Sequence, residues 1–132
     1  MASRKNLTAS NIRYLLTMKE LDKEGSGVRC VDIASTLKLS KPSVHNMLDT
    51  FVEMGFIRKA AYGIAIFTEL GNETALRYDR YYRYVSGVLS RSFPELAGDV
   101  QTATCSLISV LPQQSLERIC GERAVSAEGA DV

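Results

Sequence analysis

The chain has 132 residues, a hydrophobic share of 45% and a formal net charge of +1, the composition of a globular chain built as one compact unit or as a small domain with a helical extension. No apolar run approaches the roughly 18 residues of a membrane span, and no hydrophobic stretch follows the basic start, so neither a membrane partner nor a secretory signal is expected. Three cysteines, an odd number without metal-finger spacing, argue for a reduced, cytoplasmic protein and against a disulfide framework.

Taken in chain order, Thr8 or Ser10 can cap a first helix, and Ile12, Leu15, Leu16 and Leu21 give it an apolar stripe that runs to about Asp22. The run Glu24-Gly25-Ser26-Gly27 ends it. Val28-Arg29-Cys30 is short enough for a brief strand, and residues 31–37 read as a second helix with Lys38-Leu39 as the turn. Ser40 then caps a third helix with Pro42 in its first turn, where the missing N–H costs nothing. Val44, Met47, Leu48, Phe51 and Val52 follow helical spacing, and Gly55 stops the helix. Residues 56–59 and 64–67 read as two strands, with Gly63 supplying the permissive turn position. From Thr68 the pattern is helical again, with an apolar face of Tyr78, Tyr81, Tyr82, Val85 and Leu89. Ser92-Phe93-Pro94 breaks this helix. Another is predicted over about 95–111 with Val100, Ala103, Thr104, Leu107 and Leu111 inward, and Pro112 opens a last short helix using Leu116, Ile119 and Cys120. The segment after Gly121 reads as polar, and 123–132 as a disordered tail.

Helix, helix, turn, helix and two-strand hairpin is the order of a winged helix-turn-helix. The predicted fold class is therefore mostly α: a winged helix-turn-helix with a two-stranded wing over residues 1–70, then a helical dimerisation region over 71–122. Charge follows the same division. Residues 1–60 hold 10 Lys/Arg against 6 Asp/Glu, and residues 61–132 hold 6 against 9, so the first half is the better surface for a polyanion. The third helix offers Ser40, Lys41, Pro42, Ser43, His45, Asn46 and Asp49 opposite its apolar face. Short polar side chains allow close approach to duplex DNA, and Asn46 can present a paired donor and acceptor to adenine in the major groove. Arg58, Lys59 and Tyr62 fall on the hairpin, where a wing meets backbone phosphates.

These segments, Val-Asp-Ile-Ala-Ser-Thr-Leu (31–37), Leu-Ser-Lys-Pro-Ser-Val-His-Asn-Met-Leu (39–48), Met-Gly-Phe-Ile-Arg-Lys (54–59) and Tyr-Gly-Ile-Ala-Ile-Phe-Thr-Glu-Leu-Gly (62–71), resemble the diphtheria-toxin-repressor and manganese-transport-regulator family. The likeness covers residues 7 to about 120 and is strongest over 28–76. It implies a homodimer on a palindromic operator, repression controlled by Mn(II) or Fe(II), and DNA contacts at Ser40, Pro42, Ser43 and Asn46. The length corresponds to a short member without the SH3-like domain. The family binds its metal through carboxylates and histidines, with Cys or Met in some members, types that suit these ions. Aligned with those ligand positions stand Ser10, Arg13, Arg80, Gln101, Thr104 and Cys105, of which Cys105 alone is of a ligand type. The one histidine, His45, lies on the DNA helix. Departing from the family in these positions, the chain reads as a regulator whose metal site is degenerate; the cations at two of them are expected either to replace the metal's charge, Arg13 and Arg80 pairing with acids such as Asp79 or Asp99, or to be solvated surface groups.

Cys30, Cys105 and Cys120 read as small apolar residues. Tyr78, Tyr81, Tyr82, Val85, Leu107 and Leu111 form the expected dimer interface, since a small winged domain cannot bury such an aromatic stripe alone. No phosphate-binding glycine loop and no Ser–His or Cys–His pair suggests an enzyme. Two other readings remain open at this level: a functional Mn(II)- or Fe(II)-responsive repressor with a displaced site, and a winged-helix protein-interaction module without DNA specificity. A ligand-responsive regulator of the multiple-antibiotic-resistance type is a third. It would place a dimerisation helix before the winged module, where the segment before Thr8 leaves little room.

Overall fold

The computed structural model describes residues 7–121; the tail expected over 123–132 lies outside them. The chain is mostly helical with one small antiparallel sheet, and it divides into two compact units, one of Arg13–Tyr78 and one of the flanking segments.

Helix α1 spans Ala9–Leu21. Of the two expected caps, Thr8 serves. Its hydroxyl accepts the Asn11 N–H at 2.9 Å while the Asn11 carboxamide accepts the Thr8 N–H at 3.0 Å, a capping box with Asn in the reciprocal position. After the helix, the Asp22 carboxylate accepts the Gly27 N–H at 3.1 Å. Gly27 has φ +109°, and a Cβ there would lie 2.5 Å from a side-chain carbon of Ile64. Only glycine fits this approach.

In the unit Arg13–Tyr78, strand β1 (Val28–Arg29) leads into α2 (Cys30–Leu37), and Cys30 begins the helix rather than ending the strand. Lys38 closes α2 in the left-handed conformation. Helix α3 is Lys41–Glu53, with the Ser40 hydroxyl accepting the Ser43 N–H at 3.2 Å. Its end has the Schellman pattern: Gly55 is left-handed, its N–H reaches the Val52 carbonyl, and the Phe56 N–H reaches the Phe51 carbonyl. The hydrophobic contact that accompanies this motif is Phe56 against Phe51, ring centroids 5.9 Å apart.

Strands β2 (Ile57–Ala60) and β3 (Ile64–Phe67) form the expected hairpin, and β1 adds a third strand on the far side of β3. The register pairs Lys59 with Ala65 and Val28 with Ala65, so buried Ala65 lies at the centre. Tyr14, Leu15 and Met18 of α1, Ile33 and Leu37 of α2, and Val44, Leu48 and Phe51 of α3 supply the buried side chains, each burial stabilising by about 1.5–3 kcal/mol. Tyr14 meets Phe51 edge-on at 6.2 Å.

Helix α4 runs Glu69–Ser92. Thr68 caps it, accepting the Gly71 N–H at 3.0 Å while donating to the Gly55 carbonyl at 2.6 Å. The break at Phe93-Pro94 is as expected, but the next helix starts later than the sequence predicts. Pro94–Asp99 form a kinked 3-10 segment with Ala97 at φ 46°, ψ −111°, and α5 is Val100–Val110. Gly98 is a weak helix former, and no side chain caps the segment. Leu111 is extended ahead of Pro112, as the residue before proline prefers. The inward face of α5 is also displaced: Thr104, Cys105 and Ile108 are buried, while Leu107 is 39% exposed. Helix α6 (Gln113–Leu116) continues into a π turn, Glu117–Gly121. Leu116 and Cys120 point inward as expected, and Ile119 does not.

Candidate nucleic-acid interface

Helix α3 carries two unlike faces. Val44, Leu48 and Phe51 are buried, whereas Ser40, Lys41, Pro42, Ser43, His45, Asn46 and Asp49 are all exposed. Met47 is half-buried and Val52 exposed, so the apolar stripe is narrower than the spacing suggests. A narrow stripe leaves a broad polar face. The Ser40 hydroxyl also donates to that of Ser43 at 3.0 Å, so the cap already engages both hydroxyls. Thr50 bonds the Asn46 carbonyl at 3.2 Å through its own hydroxyl, a local bond that leaves the exposed Asn46 carboxamide clear of it.

The hairpin lies beside this face. Lys59 forms an ion pair with Asp49 of α3, tying wing to helix. Both side chains are well exposed, so the pair contributes only about 0.2–1 kcal/mol, yet it offsets the Lys59 charge locally. Arg58 is exposed, and Tyr62 stands 95% exposed at the turn. Tyr62 and Gly63 both have left-handed backbone, φ 64° and 72°, where the sequence suggested only the glycine. Such a turn matches the twist of a hairpin.

One feature escaped sequence reasoning. A cleft of about 610 Å³ opens between the start of α2, the first turns of α3 and the hairpin, lined by Arg29, Val31, Lys41, His45, Tyr62 and Ile64 among others. Arg29 sits on a two-residue strand paired with Ile64. Its only signal in the sequence is its charge.

The expected interface residues separate in the other unit and along α4. Tyr78, Tyr81 and Val85 are buried within the chain itself, whereas Leu107 is exposed and Tyr82 and Leu111 are half-buried. Burial raises the phenol pKa of Tyr78 and Tyr82. The Tyr81 hydroxyl donates to the Glu117 carboxylate, which also receives Arg80 at 2.9 Å, and the Arg80 guanidinium lies 5.3 Å from the Tyr81 ring centre. Arg80 therefore pairs with Glu117 rather than with Asp79 or Asp99. Asp79 instead takes Arg83 one helical turn on, at 2.8 Å.

At the remaining positions aligned with metal ligands, Ser10, Arg13 and Gln101 are exposed, and Thr104 and Cys105 are buried. The Thr104 hydroxyl is the one buried side-chain polar atom without a hydrogen bond among the described residues. Among those residues no group of three or more His, Cys, Asp or Glu could hold a metal ion. Cys30, Cys105 and Cys120 are buried thiols without disulfides. Burial pushes the Cys120 thiol pKa up, with Arg80 opposing and Glu117 adding to the shift. No described helix is long and apolar enough to cross a membrane.

Residues 18–61, which run from α1 through α3 to the first turn residue of the hairpin, match the IclR helix-turn-helix domain. No curated protein matches the chain significantly. Among solved structures, a hypothetical protein from Sulfolobus solfataricus is 19% identical, with 85% of each chain covered and a TM-score of 0.62. IdeR of T. acidophilum is 19% identical over 91% of this chain and 55% of its own, with a TM-score of 0.65. The manganese regulator SloR is 18% identical over 83% of this chain and 52% of its own, with a TM-score of 0.66. The chain thus has the winged-helix fold of these regulators and spans about half the length of IdeR and SloR.

Proposed function

We propose that this protein is a DNA-binding transcriptional regulator, a repressor acting as a homodimer on a palindromic operator. The observation that carries the reading is the exposed polar face of α3, Ser40 to Asp49, with a basic hairpin beside it in a fold shared with metal regulators. Residues 1–70 form the DNA module. Asn46 and Ser43 face base edges, while Lys41, His45, Arg58 and Tyr62 meet the backbone. Residues 71–122 form the dimerisation module, where Tyr82, Leu107 and Leu111 have surface to offer a second copy. Two recognition helices about one DNA turn apart then read the two half-sites.

The donor set argues that the family's metal site is degenerate in this chain. A guanidinium engaged by Glu117, a carboxamide, hydroxyls and a single buried thiol do not suit Mn(II) or Fe(II), which prefer oxygen anions and imidazole. The likeness to a manganese regulator and to ScaR, solved with bound Zn2+, favours one alternative: a metal-responsive repressor with a displaced site.

Selection of duplexes from a random library, with sedimentation of protein alone and on the selected duplex, tests the reading. The expected result is a two-fold symmetric site bound by a dimer with steep salt dependence. Failure to retain any duplex, at any salt, would leave a winged-helix protein-interaction module. Calorimetry of chelator-treated protein with Mn(II), anaerobic Fe(II) and Zn(II) separates the metal readings, because stoichiometric tight binding would establish the displaced site.

A further inference from the structure

We infer that the cleft between β1, α3 and the hairpin seats a backbone phosphate of duplex DNA, with Arg29, Lys41 and His45 as its donors. This inference deepens the DNA-binding reading and rests on it.

The cleft is lined by two fixed cations and an imidazole, and no carboxylate lines it. Three cations outside the cleft are each neutralised by an acid. Lys59 is paired with Asp49, Arg80 with Glu117 and Arg83 with Asp79. Two cations gathered in one concavity without an anion repel one another, and a bound anion relieves that repulsion.

The seat depends on side chains rather than on the α3 N-terminus, because the Ser43 N–H is taken by Ser40 and Pro42 has none to give. Arg29 is held by strand pairing, its residue opposite Ile64, and its guanidinium can present a two-pronged donor to phosphate oxygens. Lys41 and His45, one turn apart on α3, belong both to the cleft and to the exposed polar face. A duplex lying along that face therefore brings its sugar-phosphate backbone to the cleft. The neutral imidazole still carries one N–H donor, so the seat does not require a protonated His45.

The test is fluorescence anisotropy on a short random-sequence duplex, where binding is almost wholly electrostatic, across a series of salt concentrations. Arg29→Gln should flatten the slope of log affinity against log salt by about one and weaken random and selected duplexes by the same factor. Arg29→Lys should recover most of the slope. The thermal midpoint of both variants should match the wild type, because the Arg29 side chain is exposed. A wild type that binds while Arg29→Gln keeps the full slope overturns the seat alone. A wild type that binds no duplex overturns the seat together with the DNA-binding reading. Inorganic phosphate that displaces duplex from the wild type better than chloride at equal ionic strength, but not from Arg29→Gln, assigns the cleft to a free phosphate and overturns the backbone as its occupant.

Discussion

At Gly71 the close approach of two backbones decides which residue the chain can carry. A Cβ built there would lie 1.8 Å from the Phe56 carbonyl oxygen and 2.7 Å from its carbon. The obstacle is backbone, pinned by the Schellman end of α3 and by the Thr68 N–H on the same Phe56 carbonyl at 2.9 Å, so it cannot rotate away. Gly71→Ala should therefore destabilise by about 3 kcal/mol or more, although alanine is the better helix former by about 1 kcal/mol. Urea denaturation measures this, and a loss below the alanine propensity gain would show that the approach relaxes. The Thr-Glu-Leu-Gly run at 68–71 was legible as a family-like pattern. Its reasons were not, because the carbonyls that accept from Thr68 and the neighbour of Gly71 belong to residues 55 and 56, across the hairpin.

The elements differ in how fully their sequence declares them. Helix α3 was readable at both ends, where cap, proline and terminal glycine agree, and its Val44, Leu48 and Phe51 face the core as spaced, although Met47 and Val52 of the same stripe are not buried. In α5 local and tertiary preferences diverge. Thr104 is buried as expected, but Leu107 is exposed while Cys105 and Ile108 are buried, so the buried face is turned from the one that hydrophobic spacing selects. The kink at Ala97 adds a second error, since it moves the helix start by about a turn. The hairpin was legible in its strands but not in its link to α3, because an ion pair between residues 49 and 59 has no periodic signature. That link carries a prediction. Asp49→Asn removes an anion from the proposed DNA face and releases Lys59. Affinity for random duplex should rise, and the salt slope should steepen by up to about one phosphate contact. An unchanged slope in the same anisotropy series would mean that Lys59 points away from the duplex.

At the scale of the whole molecule, burial holds three phenols and one thiol in their protonated forms. Tyr14, Tyr78 and Tyr82 are raised from an ordinary 10.0 and Cys120 from 9.0, with desolvation the largest cause in each. Charging any of them in place would set an anion in a poorly hydrated site. The unfolded chain releases these protons at the ordinary values while the folded chain retains them. Above pH 9.0 the folded state therefore binds more protons than the unfolded state, and stability must fall as pH rises. Below that value both states are protonated at these groups, and they add no slope. The urea midpoint should accordingly drop through the thiol range and then further through the phenol range, with the m-value constant while the transition remains two-state. Cys120→Val keeps an apolar side chain in the site and removes the thiol, so the loss attributable to it should disappear and the phenol loss near 10.0 should persist. A midpoint that holds steady or rises between pH 9 and 11 would mean that these buried groups ionise as readily folded as unfolded, which their desolvated surroundings forbid.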